Sequence, residues 1–143
     1  MMVPAAAPYF REVCSKTLQA YFEILGFQPQ PESDDVMILF AQDNVFIRLE
    51  YWPEDEPRFV MQGAIGFIRP GRALNGSRLF DGVALWRFVP DWAPHRWTFS
   101  NGQQLEVALT TIRDHLLEPI ARPIWENRPK LEAMVAKYRH SSP

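Results

Sequence analysis

The segment Val36–Tyr51, "VMILFAQDNVFIRLEY", decides the fold. Two runs rich in apolar residues flank Asp43-Asn44, a pair that tolerates the positive φ of a tight hairpin turn. A two-residue turn places Val36 opposite Tyr51, Ile38 opposite Leu49 and Phe40 opposite Ile47, so one face of the hairpin is wholly apolar. The other face is mixed: Met37 with Glu50, Leu39 with Arg48, Ala41 with Phe46.

Beyond the polar "PEDEP", the run "RFVMQGAIGFI" reads as a third strand. With Phe59 opposite Tyr51, Met61, Gly63 and Ile65 extend the apolar face, while Arg58, Val60, Gln62 and Ala64 join the mixed one. Three segments that agree on two faces predict an antiparallel meander. "RPGRALNGSRLFDG" (69–82), with its glycines, proline and arginines, reads as a long loop or a wide hairpin connection. "VALWRFV" (83–89) fits either a fourth strand or a short helix capped by Asp81. "PDWAPHRWTF" (90–99) reads as irregular backbone laid over the core.

On the N-terminal side, Phe10, Cys14, Leu18, Tyr21, Phe22 and Leu25 recur at steps of three and four, the period of a helix over Pro8–Leu25. Gly26 supplies the left-handed residue that closes it, and Phe27 folds back on the last turn. On the C-terminal side Asn101 caps a helix carrying Leu105, Ala108, Leu109, Ile112 and Leu116; it runs to about Glu118, where Pro119 and Pro123 break it. A last helix spans about Pro129 to Tyr138. The expected fold is a single α+β domain over residues 1–143: an N-terminal helix, an antiparallel meander of three to five strands, and two C-terminal helices packed on one sheet face.

Fifteen basic and 17 acidic residues, spread along the chain, give a net charge of −2 and none of the field that nucleic acid or an anionic membrane selects. No window reaches the roughly 18 apolar residues of a membrane span. The one cysteine, Cys14, falls on the apolar stripe of the first helix and reads as a buried thiol, which with the absence of a secretory leader places the chain in the cytoplasm.

"YFEILGF" (21–27) is similar to a helix end of the glyoxalase and bleomycin-resistance superfamily, which lies just after a strand bearing a metal-binding histidine. Here a helix without histidine precedes it, and His95, His115 and His140 lie far downstream in a loop, a helix and the tail. No metal site is expected, because ligands must converge within about 2 Å of one ion. No serine lies in a G-x-S-x-G turn, no cofactor motif is present, and His115 beside Asp114 reads as a solvated pair. No catalytic residue is assigned.

Two binding features stand out. Arg69, Arg72 and Arg78 flank "PG" and "NG" turns, the ingredients of an anion site, although a solvated loop satisfies the same pattern. The mixed sheet face presents Phe46, Arg48, Glu50, Trp52, Arg58, Val60 and Gln62, and aromatic and arginine side chains dominate protein interfaces. Either this face meets a partner, or a second layer such as "VPDWAPHRWTF" buries Phe46 and Trp52. The expectation is a noncatalytic module for a protein partner, with homodimerisation through the same face as one form. The alternative is a small-molecule pocket between the sheet and loop 90–99, lined by Trp86, Trp92 and Trp97 with Arg87, His95 and Arg96.

The order of helix, "LGF", meander with a tight hairpin, arginine-bearing loop and two helices resembles the small α+β domains of bacterial immunity proteins and of neighbouring uncharacterised families. "TFSNGQQLEVALTTIRDHLLEPIARPIWENRPKLEAM" is similar to their helical end. The resemblance implies a cytosolic antitoxin or immunity-type protein that works by occluding a cognate toxin.

Overall fold

A computed structural model describes residues 7–55, 58–72, 76–88 and 97–141. The Val36–Tyr51 hairpin has the expected register: Ile38 pairs with Leu49, Leu39 with Arg48, Phe40 with Ile47 and Ala41 with Phe46. Tyr51 N–H donates to the Val36 carbonyl at 3.2 Å, extending the same register. Asp43 takes the turn's positive φ, 54°. The hairpin strands are β2 (Met37–Gln42) and β3 (Val45–Asp55); β1 (Gln28–Pro29) flanks β2, and β4 (Arg58–Arg72) follows β3.

The β3–β4 register differs from the expectation by two residues: Tyr51 faces Met61, and Phe59 faces Pro53. The strands run on into "PEDEP", so the turn is tighter than a five-residue loop. A shift of two preserves side-chain parity, and the assignment of residues to faces is unchanged.

Of the two forms expected for 69–82, the structure has the hairpin and not the loop, with strands longer than expected: the chain continues β4 to Arg72 and returns as β5 (Arg78–Ala84) before a 3-10 turn at Leu85–Phe88. Phe67 faces Asp81, Gly66 faces Gly82 and Ala64 faces Ala84, with a register shift between Arg69 and Arg72 that accommodates Pro70. Pairing to a long neighbour overrides the turn-like composition of this segment. A short β6 (Thr98–Phe99) pairs with Phe59 and Val60, giving six strands among the described residues.

The helices cover the apolar face. The first runs as α1 (Ala7–Cys14), a π-helical stretch Ser15–Gln19 and α2 (Ala20–Ile24), and it buries Phe10, Cys14, Leu18 and Phe22. Gly26 closes it with φ 91°, and Phe27 turns back so that its ring meets Phe22 edge-on at 5.6 Å. Asn101 caps α3 (Gly102–Ile112) by accepting from Gln104 N–H at 2.8 Å.

Pro119 does not break the next helix. It lies inside a π-helical stretch, Arg113–Ala121, which leads without interruption into α4 (Arg122–Trp125). The wider π turn relieves the clash between the proline ring and the preceding turn, leaving only the one hydrogen bond that the proline cannot donate. Pro123 lies in the same continuous helical run, which passes through both prolines and ends only after Trp125. The last helix, α5, is Arg128–Ser141. Leu105, Leu109, Ile112, Leu116, Trp125, Leu131 and Val135 join the sheet residues Phe40, Ile47, Leu49, Tyr51, Met61 and Ile65 in one core.

Among the described residues no helix is long and apolar enough to cross a membrane. Cys14 is buried as expected, and burial pushes its thiol well above the ordinary range.

Candidate functional site

The mixed face alternates along β3 as Phe46, Arg48, Glu50 and Trp52, along β4 as Val60, Gln62, Ala64, Gly66 and Ile68, and along β5 as Phe80, Gly82 and Ala84. Its two ends have different environments. At the β2–β5 end, Leu39, Ala41, Phe46 and Ala64 are buried and pack with Met37, Ile68 and Phe80 as a second, smaller core. Phe46 meets Phe80 edge-on at 5.0 Å. Phe46 is 1% exposed, so it is not part of an open surface; Phe80 of β5 packs over it, and most of the 90–99 segment expected as a cover lies outside the described residues.

This closure depends on glycine. A Cβ on Gly82 would lie 2.8 Å from the Phe46 ring, and one on Gly66 only 2.1 Å from the Asp81 carbonyl oxygen. Two facing glycines let the backbones of β4 and β5 approach each other and the Phe46 ring closely.

At the other end Trp52 is 52% exposed and faces Val60, with Arg58 and Gln62 exposed beside it. Between the two ends lies a cavity of about 260 Å³ lined by Phe46, Arg48, Glu50, Gln62, Phe80 and Gly82, among others. Four of the seven residues expected on this face thus gather round one hollow, while Trp52, Arg58 and Val60 lie outside it. Arg48 Nε is 3.7 Å from Glu50 Oε1, within ion-pair range but too long for a hydrogen bond, and this Nε is buried with no hydrogen-bond partner. The Arg48 guanidinium also lies 6.0 Å from the Phe46 ring centre.

The expected anion loop is not assembled from Arg69 and Arg78. Arg69 donates to Asp81 at 3.1 Å and to Glu132 of α5 at 3.0 Å, and its guanidinium lies over the Phe67 ring. Arg78 donates to Glu32 at 2.6 Å and to Gln30 at 3.0 Å, over the Phe80 ring. Both charges are matched by carboxylates of the chain itself. The side chain of Arg72 lies outside the described residues.

The aromatic pocket of the alternative reading falls largely outside them too, since Trp92, His95, Arg96 and the Trp86 side chain are not described. Arg87 lies over the Tyr138 ring at 5.2 Å. Trp97 and Thr98 line a groove of about 500 Å³ against Gln103, Gln104 and Val107 of α3. Asp114 pairs with Arg113 at 2.9 Å, and that guanidinium holds its carboxyl below the ordinary range.

Phe80 and Gly82 escaped the sequence reading because their segment looked like a loop. The signal was present in "RLFDGVA", where Leu79, Asp81 and Val83 alternate with Phe80, Gly82 and Ala84. No family model, curated protein or solved structure matches this chain.

Proposed function

We propose that the protein is a noncatalytic binding module that occludes a protein partner through the outer half of the mixed face, centred on Trp52. The observation that carries this reading is the exposure of Trp52, at 52%, on a sheet whose Phe46, Tyr51, Phe59 and Phe67 are each 3% exposed or less. A large indole left in water costs apolar solvation, and interface hot spots are enriched in tryptophan and arginine. Arg58 and Gln62 give it a polar rim.

Occlusion requires about 800 Å² per partner, an area that a chain of 143 residues supplies. The class of partner, a toxin met in the bacterial cytoplasm, follows from the resemblance of layout to immunity proteins. Self-association through the same face is the homomeric form of this reading, and light scattering detects it as twice the 16.6 kDa chain mass.

The test is a pull-down from host lysate with wild type and Trp52→Ala, read by mass spectrometry. A stoichiometric partner held by wild type and lost in the variant supports the reading. Equal capture by both removes Trp52 from the interface.

A further inference from the structure

We propose that the hollow between Arg48 and Phe80 binds a small zwitterion, an α-amino acid with an apolar side chain. This goes beyond the protein-binding reading and does not depend on it, since Trp52 is not part of the cavity wall.

The wall has two chemically distinct ends. One end holds a guanidinium, a carboxylate and a carboxamide, from Arg48, Glu50 and Gln62; the other is the edge-to-face pair Phe46 and Phe80. Arg48 and Glu50 are both mostly buried, with side chains 34% and 26% exposed, yet they stand 3.7 Å apart without a hydrogen bond. Each keeps hydrogen-bonding capacity, and Arg48 Nε is out of reach of solvent with no partner. A partly exposed guanidinium and carboxylate that do not hydrogen-bond each other leave their outer atoms open to the polar groups of a ligand.

Charge complementarity selects the ligand. A simple anion drawn to Arg48 meets Glu50 as a like charge, and a simple cation drawn to Glu50 meets Arg48. A ligand carrying an ammonium and a carboxylate on the same carbon satisfies both, with its carboxylate on Arg48, its ammonium on Glu50, and Gln62 free to donate or accept. The apolar wall at the other end is the half-buried Phe80 ring beside Gly82, whose backbone packs against the Phe46 ring. The volume of about 260 Å³ falls just under the roughly 300–1,000 Å³ of pockets for drug-sized ligands, which suits a molecule of amino-acid size.

The experiment is an amide-resonance titration of the full chain with L-phenylalanine and L-leucine, beside N-acetyl-L-phenylalanine, which lacks the cation, and L-phenylalaninamide, which lacks the carboxylate. Saturable shifts at Gly63, Gly82 and Ala84 with at least one free amino acid are expected, and binding of each blocked analogue about tenfold weaker or worse. Arg48→Gln and Glu50→Gln, checked for native dispersion, should each abolish the response, and Trp52→Ala should leave it intact. No saturable shift with either amino acid overturns the proposal. So does equal affinity for free and blocked forms, which would mean that the aromatic end alone binds. A protein partner lost in Trp52→Ala bears on the other reading only.

Discussion

Arg78, at the start of β5, donates through Nε to Glu32 Oε2 at 2.6 Å, although Glu32 follows β1 at the opposite edge of the sheet. In a flat sheet those edges are four strand spacings apart, about 19 Å. The contact therefore requires the sheet to curl across its mixed face, and Arg78 also reaches Gln30 at 3.0 Å. Its stacking over Phe80 places the bridge above the smaller core. Arg78→Ala and Glu32→Ala should each lower unfolding free energy by about 1–3 kcal/mol, because each removes one half of a partly buried, charge-assisted pair. Urea denaturation of both variants and the double mutant checks this: a double mutant no less stable than either single is expected, and full additivity would mean no coupling.

The curl also predicts intolerance at the facing glycines. Gly82→Ala drives a methyl into the Phe46 ring and should cost about 1–3 kcal/mol, with Phe46→Leu in the same chain recovering part of the loss. Gly66→Ala meets backbone at 2.1 Å, and backbone cannot rotate aside, so the larger loss is expected there. Melting curves of the three variants decide the order.

Tyr51 carries a buried hydroxyl with no hydrogen-bond partner, inside a cluster with Phe10, Phe59 and Phe99. Tyr51→Phe removes the polar atom and keeps the ring, and should raise stability by about 1 kcal/mol. Burial pushes the Tyr51 hydroxyl up to about 12 from an ordinary 10. The unfolded chain then loses this proton first, so stability is intact below pH 10 and falls as pH rises through about 12. The alkaline loss should be shallower in Tyr51→Phe, measured as melting temperature between pH 9 and pH 12 with about one-unit steps.

Cys14 and Trp52 make an opposed pair of chemical probes. Cys14, 0% exposed with its thiol pushed up by burial, should ignore an aromatic disulfide reagent in the native protein and react fully in denaturant. In a chain retaining Trp52 as its sole tryptophan, acrylamide should quench strongly before any unfolding. A shielded Trp52 would remove the surface on which the proposed function rests.

Much of the architecture was legible because it is local and periodic. The hairpin register follows from a turn pair and strict alternation, and one hydrogen bond per step leaves little freedom once Asp43 turns the chain. Helix period, the Asn101 cap and Gly26 are likewise short-range signals. Pro119 misled for a related reason: its rule holds for an α turn, and the surrounding helix is π-wound. The binding residues were legible only as a list. Phe46, Arg48, Glu50 and Trp52 share one face by parity, but parity does not say which of them water reaches.

The sequence by itself determined which side chains share a face, because alternation on a strand and recurrence on a helix are properties of neighbouring residues. Only the tertiary structure decided the fate of each: Phe46 in a core, Arg48 at a cavity wall, Trp52 in solvent, Arg69 and Arg78 matched with internal carboxylates. Those outcomes depend on the curl that brings β5 over β3 and ties it to Glu32, and curvature arises from contacts between residues distant in the chain, which no local pattern encodes.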